Sequence, residues 1–354
     1  MRRATAAVLC TLLVLAWAAP ARAAVWAEPE ITSLAGSLVP GEGNWLELPW
    51  TIVWQIDGSA LGTPLDPRAV ERLPNGNTLV TSRDSRGVYE FSPAGTVVWS
   101  YTTADDPLLT PFHASRTPSG TTLIVDRWQE CVFEVNAAGT VIWRYGVPDD
   151  PTHQGDDDLE PPDPGELLDP FMATRLPNGN TLIAENQACR VLEVRTSDYV
   201  PGGENDGYTA ASVVWQYGVI GELGSAHDYA DGYLDWPKYA SRLANGNTLV
   251  ADEAANVVLE ITPAGQVIWT YGTRGVPGDA AGYLNEPASA ERLADGTTLI
   301  TDGKNDRVIR VDPDGEIVWE YSAASLLGLD DDGLIGPRRA IITDSGSILI
   351  ADEG

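Results

Sequence analysis

Six short runs place chemically active side chains at one recurring position. Each run opens with a proline: Pro67, Pro111, Pro170, Pro237, Pro287 and Pro337. The residues directly after them read Arg68, Phe112, Phe171, Lys238, Ala288 and Arg338, and the next ones read Ala69, His113, Met172, Tyr239, Ser289 and Arg339. The third column is small throughout: Val70, Ala114, Ala173, Ala240, Ala290 and Ala340. Packing demands repeat at equivalent positions, so the variable columns are where a specific site can be written. They bring together Arg68, His113, Lys238, Tyr239, Arg338 and Arg339 in a chain of formal charge −29. Guanidinium and ammonium groups in a water-poor funnel suit a sulfate, phosphate or carboxylate. The plainer expectation is that they pair with neighbouring acids.

The elements that must position these residues follow from a repeated phrase: Arg72 to Val80, Arg175 to Ile183 and Arg242 to Val250 share Arg-Leu-x-Asn-Gly-Asn-Thr-Leu, with looser copies from Arg116 and Arg292. Asn-Gly between apolar runs marks a tight hairpin. Each copy leads into an alternating apolar run, a further turn and a strand ending in tryptophan, so each unit holds four antiparallel strands. Such units form propeller blades. Trp54, Trp99, Trp143, Trp215, Trp269 and Trp319 count six of them, and Tyr101, Tyr145, Tyr217, Tyr271 and Tyr321 follow two residues after the last five. These rings are read as packing between blades.

The fold expected is therefore an all-β six-bladed propeller in residues 24–354. Blades 1 to 5 span about 65–103, 109–147, 168–219, 234–273 and 284–323, and blade 6 is shared by about 334–354 and 30–58. Joining N- and C-terminal strands removes free sheet edges. The third strand of the shared blade is expected within Ile31 to Pro40.

Residues 1–23 carry Arg2 and Arg3, an apolar stretch from Ala6 to Ala18, and Ala21-Arg22-Ala23 before the chain turns polar. This pattern predicts a secretory signal peptide cut after Ala23, hence a secreted or periplasmic protein. No stretch is long and apolar enough for a membrane span. Removing three arginines with the leader leaves 19 basic against 51 acidic residues, a charge of −32. Nucleic acid is a poor partner for such a surface, and self-repulsion favours a monomer.

Cys131 and Cys189 occupy corresponding turns of consecutive blades, one position out of step. Export makes a disulfide chemically reasonable, and the residues leave the pairing open. Asp149, Asp150, Asp156, Asp157, Asp158 and Glu160 in one loop, and Asp330, Asp331 and Asp332 in another, are oxygen ligands of the kind that bind Ca²⁺. No EF-hand spacing is present, so a solvated loop and no cofactor are expected. Asp126, Glu185, Asp252, Asp302 and Asp352, with Ser82 as the exception, form a near-ring of acids read as turn caps. His153 and His227 fall in loops on the same side as His113. The insertions 147–168 and 195–212 offer surface to a protein partner.

The series Asn-Gly-Asn-Thr-Leu-Ile/Val, Glu-Val/Ile and Gly-x-Val-Ile/Val-Trp-x-Tyr resembles the repeats of arylsulfotransferases, exported six-bladed propellers, and more loosely NHL-type propellers. The resemblance covers most of the chain and rests on blade-building residues. It implies transfer of sulfate from an aryl sulfate to a phenol through a transiently sulfated histidine. His113 would be that nucleophile, and Arg68, Lys238, Arg338 and Arg339 would stabilise charge on the transferred group. Tyr239 would orient the aryl ring or protonate the leaving phenolate. The supporting histidines of that family have no counterpart here. The rival expectation is a non-catalytic propeller that binds a small anionic or aromatic ligand, or a protein, on its loop-rich face.

Overall fold

The computed structural model describes residues 12–17, 50–56, 61–62, 65–146, 165–201, 208–322 and 334–353. It is all-β, built from four-stranded antiparallel blades. Five blades each use four consecutive strands, whose first strands are Pro67–Arg72, Pro111–Arg116, Pro170–Arg175, Pro237–Arg242 and Pro287–Arg292. The second and third strands are buried along their lengths, whereas the fourth alternate between covered and exposed. Chains buried on both faces read as continuous apolar runs, as in Thr248–Asp252 and Val257–Ile261.

A further four-stranded sheet takes strands from both ends of the chain, in the order Trp50–Ile56, Leu12–Trp17, Ile348–Ala351, Arg339–Ile342. In this sheet Leu12–Trp17 lies between Trp50–Ile56 and Ile348–Ala351, and the segment 31–40, expected to supply the third strand, lies outside the described residues. Six consecutive apolar residues satisfy a doubly covered strand as well as they satisfy the core of a leader, which is why the two readings compete for one segment.

The repeated phrase proves to be a clamp between blades. In blade 3, Asn178 and Asn180 donate to Glu193 at 2.9 and 2.6 Å, and the other oxygen of Glu193 takes Arg242 of blade 4 at 2.8 Å. Arg242 lies 4.7 Å over the Trp215 ring of blade 3, whose indole N–H donates to Pro263 of blade 4 at 3.1 Å. The same stack recurs for Arg72 on Trp54, Arg116 on Trp99, Arg175 on Trp143 and Arg292 on Trp269. Tryptophan faces attract guanidinium groups, so each clamp ties a blade to its neighbour. The asparagines reach Glu193 because Gly179 turns the chain at φ 86°, a conformation glycine takes without penalty.

The near-ring of acids caps the loops that enter each first strand. Asp126, Glu185, Asp252, Asp302 and Asp352 accept the backbone N–H of Thr110, Leu168, Asp235, Asn285 and Ile335 at 2.7–2.9 Å, and the Ser82 hydroxyl does the same for Asp66 at 3.1 Å. That repetition accounts for these residues as structural.

Candidate functional site at the channel mouth

A β-bulge prepares the site. In all five consecutive blades the register between first and second strands shifts directly after the proline, so Arg68, Phe112, Phe171, Lys238 and Ala288 are extra residues. Strict alternation would send adjacent side chains to opposite faces. The bulge re-aims one of them, and both variable columns reach the same cavity.

That cavity is a funnel in two parts. An outer vestibule of about 360 Å³ is lined by Arg68, Phe112, Phe171, Lys238 and Arg338, together with residues from the turns above. Below it a chamber of about 30 Å³ is bounded by Arg68, Phe112, His113, Phe171, Met172, Lys238, Tyr239, Ala288, Ser289, Arg338 and Arg339. All six charged or polar residues singled out in the sequence therefore meet at one place. The chamber has room for about two waters or one small oxyanion.

The outer cations are countered by acids from elsewhere in the chain. Arg68 pairs with Asp66 at 2.8 Å and with Glu353, Arg338 pairs with Glu353 at 2.7 Å, and Lys238 pairs with Glu253. Burial lowers the pKa of both Arg68 and Lys238. Burial also disfavours the Glu353 carboxylate, but Arg338 and Arg68 outweigh it and hold its pKa below the usual range. Arg127 pairs with Asp169 at 2.8 Å and lies 4.5 Å over Phe171, which meets Phe112 edge-on at 4.5 Å.

The inner residues differ. His113 is 7% exposed, and burial, helped by the nearby Arg339 charge, drives its pKa well below 6.5. Its imidazole is neutral at physiological pH. Among the described residues its Nδ1 meets no hydrogen-bond partner, and neither do the buried Nε and Nη1 of Arg339. Burial works against the Arg339 charge, yet Tyr239, Glu291 and Glu71 hold its pKa above the ordinary value. Arg339 is hydrogen-bonded to the Tyr239 side chain and stacks on its ring at 4.7 Å. Burial raises the Tyr239 pKa, so the phenol keeps its proton. Three sheltered nitrogens at this chamber, two of them on a guanidinium, are thus without partners among the described residues.

Several wall residues are invisible in the proline-anchored columns. Arg83, Arg127, Asn186 and Glu253 line the vestibule and directly follow the capping residues Ser82, Asp126, Glu185 and Asp252. They form a third variable column, and their variation between blades is the signal that would have found them. Trp236 and Glu286, which immediately precede Pro237 and Pro287, line it too.

Other expectations are corrected. No disulfide joins Cys131 and Cys189; both are buried thiols. Cys131 starts a third strand and packs among Val88, Tyr101 and Leu109 toward blade 1, whereas Cys189 sits in a turn at φ 53°, donates to the Gln187 carbonyl at 3.5 Å, and has its pKa pushed by burial to about 11. One position out of step, the two side chains face different neighbours. The insertion 195–212 joins a third strand to a fourth, so it lies at the opposite end from the mouth. There Tyr208 packs edge-on against Tyr145 at 4.6 Å and closes a core cluster. His227 stacks on Tyr233 at 3.9 Å and meets Glu222 at 2.7 Å, outside the funnel's walls. His153, most of the insertion 147–168 with its aspartates, and Asp330 to Asp332 lie outside the described residues. Among the described residues no cluster of three metal-ligating side chains occurs, and no helix is long and apolar enough to cross a membrane.

Fold and repeats together define a β-propeller. No family model matches the sequence, and no curated protein matches it at a significant level. Among solved structures it is similar to virginiamycin B lyase from Staphylococcus aureus, at 12% identity and TM-score 0.51, over 81% of this chain and 78% of that one. It is similar to a streptogramin B lyase at 14% identity and TM-score 0.51, over 81% and 91%. The WD40 propeller domain of Doa1 matches at 10% identity and TM-score 0.50, over 86% and 79%. Identities this low establish the propeller architecture alone.

Proposed function

We propose that this chain is an exported, secreted or periplasmic six-bladed propeller, closed by its two ends, that transfers sulfate from an aryl sulfate to a phenol at the channel mouth. The observation that carries the reading is the inner chamber, where a neutral buried imidazole lies near the unpartnered N–H groups of Arg339. A nucleophilic histidine must be unprotonated, and a sulfuryl group gaining charge needs fixed donors. A ring nitrogen of His113 attacks sulfur, the bond from sulfur to the aryl oxygen breaks, and the departing phenolate takes a proton from Tyr239. An acceptor phenol then attacks the sulfuryl group, the nitrogen–sulfur bond breaks, and the acceptor proton returns to the Tyr239 oxygen. Arg68, Lys238 and Arg338 orient the substrate from the vestibule wall.

The test is aryl sulfate-dependent sulfation of a phenol panel by the purified protein beside His113→Ala. Turnover that vanishes in the folded variant supports the reading. No turnover over a broad donor and acceptor panel defeats it.

A second reading has one observation in its favour. Arg68, Lys238 and Arg338 are already neutralised by Asp66, Glu353 and Glu253. An NHL-like propeller that binds a ligand without chemistry needs no more than the vestibule, and it tolerates loss of His113.

A further inference from the structure

The residues that precede the six aligned prolines are Asp66, Thr110, Asp169, Trp236, Glu286 and Gly336, and three of them, Asp169, Trp236 and Glu286, line the vestibule. At four of these six positions the residue has positive φ: Asp169 at 51°, Trp236 at 71°, Glu286 at 51° and Gly336 at 61°. Glycine takes that conformation freely and aspartate tolerates it, but for a bulky side chain it is an outlier. A following proline restricts the residue further. The local geometry thus recurs with the fold, and tryptophan is a poor choice for it.

Packing does not explain the choice either. Trp236 is 45% exposed, and it lines the vestibule and belongs to none of the core clusters. Asp169 and Glu286 pair with Arg127 and Lys304, whereas an indole offers no charge for such a pair. Its backbone is nonetheless anchored on both sides: the carbonyl accepts the Glu253 N–H at 3.1 Å, and the N–H donates to the Cys189 sulfur. Backbone outliers of this kind cluster at ligand-contacting positions, and this one carries an exposed aromatic side chain at a cavity wall. Elsewhere on the vestibule wall lie Phe112 and Phe171, faced by Arg127 at 5.4 and 4.5 Å, which polarise that aromatic wall.

We infer that Trp236 is the vestibule's aromatic platform and sets its preference for a planar aromatic ligand, whose ring stacks on the indole while an attached oxyanion enters the chamber below. The oxyanion half rests on the proposed function; the platform stands on Trp236 alone. A site of about 360 Å³ admits one or two fused rings.

The experiment is calorimetric titration of the full chain with naphthalene-2-sulfonate, whose carbon–sulfur bond does not transfer, and with 2-naphthol and inorganic sulfate. Trp236→Gly, which suits the backbone conformation, should weaken both naphthalene ligands by roughly tenfold and leave sulfate affinity unchanged. Trp236→Phe should restore most of the loss, and Trp236→Asn should behave as the glycine variant does. Naphthalene binding that is absent, or indifferent to all three substitutions, overturns the inference. Trp236-dependent 2-naphthol binding without sulfate binding upholds the platform and removes the oxyanion chamber, so the two failures are distinguishable.

Discussion

The Arg339 guanidinium lies 4.7 Å from the Tyr239 ring centroid, joining the shared sheet to blade 4 across the channel. The ring holds the cation while two of its nitrogens remain without partners among the described residues. Arg339→Met keeps the bulk and removes those donors, and should weaken sulfate binding at least tenfold by calorimetry. Arg68→Met should have a smaller effect, because Arg68 is already committed to Asp66 and Glu353.

Burial of His113 gives a pH signature. Its folded pKa lies well below 6.5, so the unfolded chain binds a proton that the folded one refuses. The stability this preserves is complete above the unfolded pKa and falls as pH drops below about 6.5. Urea denaturation at pH 7.5 and 5 should show a larger loss for the native sequence than for His113→Asn. Equal losses would mean that the imidazole is solvated.

Asp252 carries the opposite sign. Burial lifts its pKa to about 7, and Asp235 beside it adds to the rise. The folded state then holds a proton that the unfolded state has lost, so stability falls between about pH 4 and 7 and the full penalty applies above that. The corresponding acids Glu185 and Asp302 face Arg190 and Arg307, whereas blade 4 has Val257 at that place. Asp252→Asn retains an acceptor for the Asp235 N–H, and should stabilise by about 2–4 kcal/mol at pH 8 and little at pH 4.

The clamps between blades predict strong coupling. Glu193→Ala strands Arg242 in a site where its side chain is 16% exposed, and releases Asn178 and Asn180. A loss of about 3 kcal/mol in denaturant unfolding is expected. Adding Arg242→Ala should recover part of it, because the uncompensated charge is gone.

Leader processing is decided by mass. Protein recovered from outside the cytoplasm should begin at Ala24, which removes Leu12–Trp17 from between Trp50–Ile56 and Ile348–Ala351. Deleting residues 31–40 should then destabilise the processed protein and spare the unprocessed one. A mass that retains residues 1–23 would make Leu12–Trp17 a permanent strand and defeat the export reading.

Much of this protein is legible in its sequence because a propeller repeats its geometry. One position in one blade predicts its counterparts, so Pro67, Pro111, Pro170, Pro237, Pro287 and Pro337 were enough to align the six residues that meet at the mouth. Tight turns, alternating strands and the tryptophan series are local patterns, and local patterns survive in sequence. What only the tertiary structure decided involves partners distant along the chain. Arg68 and Glu353 are 285 residues apart, so which cations are already neutralised, and that Arg339 keeps unpartnered donors, depends on how the ends meet. The bulge that turns two adjacent columns into one cavity comes from strand register, which composition does not encode. The directions of Cys131 and Cys189 likewise depend on a one-residue offset in turn conformation.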